Sequence, residues 1–176
     1  KDREFLSWYE KQLSDLGVNV VFNSEIKDVK GIDADEVIVA TGAKARTLNI
    51  PGEEKALEAL DYLYDKSKAG ERVIVVGGSL TGCEIAYELF LNGKKPVIVE
   101  MKNDLMAVSG LCLANSSYLR DFFKLKKVPV YLNTRVTQVE TEGDMITAVS
   151  AVQITNEKEY QINGKIFVDS TGDGFV

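Results

Sequence analysis

One short run, Gly77-Gly78-Ser79-Leu80-Thr81-Gly82, and one acid downstream of it, Glu100, have the residue types and spacing to hold a phosphorylated ligand. A helix amino terminus presents backbone N–H groups and the positive end of the helix dipole. Glycines are needed wherever a side chain would block a pyrophosphate from approaching them. Gly77 is placed to make the tight turn and Gly82 to let the following helix pack closely on the strand. Ser79 stands where the G-x-G-x-x-G fingerprint has its middle glycine. Its Cβ and hydroxyl at the point of closest approach have three readings: tolerated, hydrogen-bonded to a phosphate, or obstructive enough to abolish binding.

Glu100 follows at about the ~20-residue distance at which an acid accepts hydrogen bonds from the adenosine ribose hydroxyls. A carboxylate there would repel a 2′-phosphate, and of the next residues, Met101, Lys102 and Asn103, only Lys102 offers that phosphate a cation. The ligand expected is therefore NADH. The plain alternative for Glu100 is a solvated acid at a strand end. Glu84, two places after Gly82, also has a plain reading, as an acid favoured near a helix amino terminus.

These residues need a strand and a helix to position them, and the flanking pattern supplies both. Arg72 to Val76 is a β-branched run entering the glycines, Cys83 to Leu91 reads as a helix closed by Asn92-Gly93, and Pro96 to Val99 is a second strand ending at Glu100. Strand, glycine turn, helix, strand and terminal acid within about 30 residues make the βαβ unit of a parallel sheet. Upstream, Phe5 to Leu16 has helical spacing stopped by Gly17, and Val18 to Phe22 and Glu36 to Ala40 read as strands, the second running into Thr41-Gly42. After Pro51-Gly52, Glu53 to Lys68 reads as a connecting helix. Ser117 to Lys127 reads as a helix, and Val128 to Leu132, Val136 to Glu140, Ile146 to Ile154 and Lys165 to Asp169 read as strands. Trp8, Tyr9, Tyr62, Tyr64, Phe122 and Phe123 suit core or interface packing rather than a cofactor role.

Composition narrows the function classes. The 176 residues are 45% hydrophobic and 27% charged, ample for a globular core. A net charge of −6 argues against nucleic acid, which draws on a concentrated basic surface. There is no histidine, and Cys83 and Cys112 form neither a metal cluster nor a CxxC pair, so no metal is expected. No apolar run reaches the ~18 residues of a membrane span, and the amino terminus has no signal-like stretch; no membrane partner and a cytoplasmic location follow as expectations. The first residue is Lys, which fits a processed or excised segment. Cys83, in the first helical turn, reads as a buried small residue rather than a helix-activated thiol.

Val-Ile-Val-Val-Gly-Gly-Ser-Leu-Thr-Gly-Cys-Glu (73–84), Val-Ile-Val-Glu (97–100) and Val-Ile-Val-Ala-Thr-Gly-Ala (37–43) together resemble the pyridine nucleotide-disulfide oxidoreductase superfamily. Within it they are most similar to the carboxy-terminal half of the 2-enoate reductase and 2,4-dienoyl-CoA reductase family, the NADH:flavin oxidoreductases. The resemblance covers most of residues 4–168. It implies an α/β fold: a Rossmann-like three-layer domain with a parallel sheet and an antiparallel β-meander, plus a partial FAD-domain segment. The domains implied are 1–50 as the FAD-domain segment, 51–70 as a connection, 71–168 as the NAD(H) domain and 169–176 as the return toward the FAD domain.

By the same resemblance, Thr41 and Gly42 match a turn that passes near FAD, whose plain reading is a strand-ending turn, and Glu84 matches an acid near the nicotinamide side. The fingerprint that holds the FAD pyrophosphate belongs upstream of Lys1. The tail Thr171-Gly172-Asp173-Gly174 looks more like the turn of other FAD-dependent oxidoreductases, with Asp173 either serving a flavin hydroxyl or setting backbone conformation. The full family passes electrons from NADH through FAD, a 4Fe-4S cluster and FMN to an activated carbon–carbon double bond, so the chain's partners would be NAD(H) and the absent flavin and barrel domains. An NADH-holding electron-input portion, not competent alone, is the reading expected. The others are a nucleotide-silent structural domain, or part of another FAD-dependent NAD(P)H oxidoreductase; a self-sufficient disulfide reductase lacks its two close cysteines.

Overall fold

A computed structural model describes residues 2–42, 45, 47–164 and 166–169, the last four by backbone alone. The tail carrying Thr171 to Gly174, with Asp173, lies outside the described residues, as do Ala43 and most of the expected return segment. Two compact units are present, Lys1–Thr41 and Gly42–Val176.

The first unit contains helix α1, Asp2–Asp15. Gly17 ends it in a left-handed conformation (φ 66°), and the Val18 N–H turns back to the Leu13 carbonyl at 3.0 Å. Phe5 and Tyr9 meet edge to face with ring centres 4.7 Å apart, on a face that remains open, as does Trp8. The strands expected at Val18–Phe22 and Glu36–Ala40 do not form a ladder here. Both runs lie exposed, Phe22 at 81% and Ile38 at 90%. Their β-branched composition favours extension, but a strand is held by pairing with a neighbour, and these two find none among the described residues.

The second unit is built from β1 (Leu57–Glu58), α2 (Ala59–Tyr64), β2 (Arg72–Val76), α3 (Leu80–Leu91), β3 (Lys95–Val99), α4 (Leu113–Lys126), β4 (Val130–Tyr131), β5 (Thr134–Glu142), β6 (Met145–Gln153), β7 (Glu159–Asn163) and β8 (Ile166–Asp169). Five strands form a parallel sheet in the order β1-β8-β2-β3-β4, and β5-β6-β7 form an antiparallel meander. Successive side chains of a strand point to opposite faces, and the sequence of β2 and β3 uses both. Val73, Val75 and Ile98 pack with Ala86, Leu89, Leu119 and Phe123 of the helices, whereas Ile74, Val76, Val97 and Val99 pack with Val136, Val139, Val149 and Ile162 of the meander. The result is the expected three layers, with a continuous apolar sheet buried on both sides.

Four elements of the second unit differ from the sequence expectations. Glu53–Lys68 is not one helix: it divides into a 3₁₀ turn (Glu53–Lys55), β1, α2 and a second 3₁₀ turn (Lys66–Lys68). The Glu53 carboxylate accepts from the N–H groups of Leu48 and Asn49, at 2.6 and 2.7 Å, fixing the preceding loop, and Leu57 is drawn into pairing with Val168; both tertiary demands override helical periodicity. The strand expected over 128–132 shortens to β4, and β7 was not anticipated. Helix α4 begins earlier than expected, with Cys112 at its cap.

Candidate functional site

The carboxyl ends of β2 and β3 lie side by side, with Val76 in register with Val99. They deliver Gly77 and Glu100 to the same edge. Gly77 takes φ 96°, a conformation a side chain would strain, and its N–H reaches the Val99 carbonyl at 2.9 Å. Ser79 then takes the cap position of α3 and Leu80 and Thr81 open the first turn, with Gly82 buried. Six of the residues expected in a nucleotide site, Gly77 to Gly82, are thus gathered at a helix amino terminus beside Glu100.

Glu100 is 6% exposed, so it is not the solvated acid of the plain reading. Its Oε2 accepts the Gly78 N–H at 2.5 Å and its Oε1 the Lys102 N–H at 2.7 Å. A carboxylate has roughly four lone-pair sites, so two backbone bonds orient it and leave acceptor capacity for ribose hydroxyls. Its own backbone is anchored on both sides, by its N–H to Tyr131 and by its carbonyl from Thr134, at 2.8 and 2.9 Å. The Lys102 ammonium donates to the Ala107 carbonyl at 3.2 Å.

Gly78 has a role that its place between the fingerprint glycines did not announce. A Cβ there would lie 2.6 Å from Leu105 Cδ2 and 3.0 Å from Glu100 Cβ. The Gly78 carbonyl accepts from the Met106 N–H at 2.6 Å and from the Cys83 thiol at 3.4 Å. The segment after Glu100 therefore folds onto the glycine turn through Leu105 and Met106. Arg120 of α4 secures it, donating from Nη2 to the Leu105 carbonyl at 2.5 Å while its Nε lies 3.1 Å from Asp104 Oδ2. Sequence reading missed these three residues. The doubled glycine was the available signal for Leu105; Arg120 has none, because it arrives from a distant helix.

Ser79 Oγ is buried and has no hydrogen-bond partner among the described residues, and it makes no capping bond to α3. A hydroxyl so placed is costly unless a ligand satisfies it. The turn at Gly77, the orphaned Ser79 hydroxyl and the oriented Glu100 carboxylate fit a dinucleotide. Glu84 lies exposed on the first turns of α3. Thr41 and Gly42 are exposed, Gly42 with φ 79°, and the boundary between the two units falls between them.

Cys83 is fully buried, as expected of a small core residue. Burial first, and then the negative charge of Glu100, push its thiol up to about 12. Cys112 is exposed, and the N–H groups of Asn115 and Ala114 at the start of α4 hold its thiol below the ordinary value. Among the described residues no helix is long and apolar enough to cross a membrane, and no three His, Cys, Asp or Glu side chains gather as a metal site.

Residues 28–174 match the pyridine nucleotide-disulphide oxidoreductase family. Cinnamate reductase of Clostridium sporogenes is 39% identical over 97% of this chain and 25% of its own length. NADH oxidase of Thermoanaerobacter brockii is 31% identical over 99% of this chain and 30% of its length. Among solved structures, a 2-naphthoyl-CoA reductase complex superposes with a TM-score of 0.71 over 97% of this chain and 25% of that one, at 21% identity, a likeness of fold. The chain thus spans between a quarter and a third of the length of these relatives.

Proposed function

The chain belongs to the pyridine nucleotide-disulphide oxidoreductase family, and from that premise we propose that it holds NADH at the glycine turn as the electron-input portion of a larger flavin-dependent oxidoreductase. The observation that carries this reading is the buried Glu100 carboxylate, oriented by the Gly78 and Lys102 N–H groups beside the amino terminus of α3. In this reading Glu100 accepts from the adenosine ribose, the backbone of Gly77 to Gly82 faces the pyrophosphate, and Ser79 Oγ donates its unused hydrogen bond to a phosphate oxygen. Glu84 lies toward the nicotinamide, and Thr41 and Gly42 belong to a partial FAD site. NADH supplies the hydride and FAD the electron acceptor; the protein's contribution is orientation.

The likeness to cinnamate reductase supports a 2-enoate reductase type of activity for the larger protein, reducing an activated carbon–carbon double bond. FMN and a 4Fe-4S cluster would then belong to portions other than this chain, which alone would not turn over. Glu100 favours NADH over NADPH, because a 2′-phosphate would meet its carboxylate.

Titration of the 15N-labelled chain with NADH and NADPH tests the assignment. Amide shifts at Gly77 to Glu84 and at Glu100 with NADH, and weaker ones with NADPH, are expected. Absence of any shift at millimolar NADH would leave a nucleotide-silent structural domain.

A further inference from the structure

The opposite end of the parallel sheet carries a charge pattern that the nucleotide reading does not use. Two helices end in the same way: α3 is followed by Gly93-Lys94-Lys95-Pro96-Val97 and α4 runs into Lys126-Lys127-Val128-Pro129-Val130. Lys94-Lys95 runs into β3 and Lys126-Lys127 precedes β4, and those two strands are neighbours. Arg72 opens β2 directly in register with Lys95. The amino ends of three adjacent strands thus bring Arg72, Lys94, Lys95, Lys126 and Lys127 together in a chain of net charge −6.

They line a cavity of about 310 Å³ whose apolar wall is made by Phe90, Pro96, Val97, Val128 and Pro129. That volume lies at the small end of the ~300–1,000 Å³ usual for ligand sites. Lys95 is paired with Glu71, and Lys94 donates to the Ala69 and Gly70 carbonyls, which are neutral and leave its charge in place. Arg72, Lys126 and Lys127 carry no carboxylate partner among the described residues. Lysines at helix ends also complement the helix dipole, which accounts for Lys126 and Lys127 but not for Arg72 at a strand start. Like charges side by side on adjacent strands are unfavourable, and a bound polyanion relieves them.

We propose that this cavity is a second ligand site, separate from the glycine turn, for a nucleoside di- or triphosphate. Several cations around one cavity call for more than one negative charge, and the Phe90 and proline wall calls for a flat apolar group on the same molecule. The site takes no part in hydride transfer and does not depend on NADH binding.

The test is titration of the full 176-residue chain with ATP, followed by amide shifts, with inorganic pyrophosphate as a second probe. ATP should shift Arg72, Lys95, Val97 and Val128, and the Lys126→Gln/Lys127→Gln variant should bind it at least tenfold more weakly while still unfolding in one cooperative thermal transition. ATP shifts confined to Gly77–Glu84, no shift at millimolar ATP, or undiminished binding by the double variant would overturn the site. Pyrophosphate binding as tight as ATP would overturn the nucleoside class.

Discussion

The Gly78 backbone N–H is bonded to the Glu100 carboxylate, so the glycine turn and the acid at the end of β3 form one hydrogen-bonded unit rather than two neighbouring motifs. Glu100→Ala would leave that buried N–H without its partner, a loss of about 1–3 kcal/mol. Thermal unfolding of the variant should begin earlier, and NADH affinity should fall with it. An unchanged midpoint would mean that the turn is held without Glu100.

Gly78→Ala should act through volume. The added methyl would crowd Leu105 Cδ2 at 2.6 Å and press on Glu100, and overpacking of this kind costs typically 1–3 kcal/mol. Denaturant unfolding reads this directly; a variant as stable as the parent would show that the segment 104–106 moves aside without cost.

Ser79→Ala separates a ligand role from a structural one. The hydroxyl has no partner among the described residues, so its removal should leave stability equal or slightly higher. NADH affinity should nevertheless drop about tenfold to a hundredfold, the value of one hydrogen bond to a charged phosphate oxygen. Calorimetry would decide it, and tighter binding by the alanine variant would assign the hydroxyl an obstructive role.

The two thiols should part company under alkylation. Cys112 should react with iodoacetamide below the pH usual for a free thiol, and Cys83 only on unfolding. The Cys83 shift also sets a stability window. A folded value of about 12, against 9.0 for an ordinary thiol, means that the folded state keeps its proton longer. Its contribution is complete below pH 9 and is lost as pH rises toward 12. Cys83→Ser should flatten that part of the alkaline unfolding profile; an identical profile would exclude the thiol as its source.

Gly52→Ala should destabilise the second unit from a distance. Gly52 has φ 83°, and a Cβ would lie 2.4 Å from the Val139 carbonyl, while the Val139 N–H is bonded to Pro51 at 2.9 Å. The loop is therefore clamped to β5. A loss of more than about 1 kcal/mol is expected on urea unfolding, and a neutral result would show that the clamp yields.

The βαβ core was readable in the sequence because its information is local: β-branched strands, a glycine turn, a helix with an Asn92-Gly93 stop and an acid in register. What stayed hidden depends on partners far along the chain. Val18–Phe22 and Glu36–Ala40 have strand composition without a strand to pair with, and the Glu53–Lys68 periodicity yields to a loop cap and to β8. The polar run of β7 becomes a strand through β6, on which Ile162 alone is deeply buried. At the site, Gly77, Ser79, Gly82 and Glu100 follow a known spacing, whereas Leu105, Met106 and Arg120 enter only through folding of the segment that closes over Gly78.

The order β1-β8-β2-β3-β4 also has a consequence for synthesis. A chain emerging from the ribosome can assemble β2, α3 and β3 early, since they are contiguous. The place between β1 and β2 must wait for Ile166–Asp169, so both strands carry open edges through the making of the whole meander. β8, the last of the described strands, closes the gap between β1 and β2, and a nascent chain stalled before it would expose two unpaired edges prone to join with those of another chain.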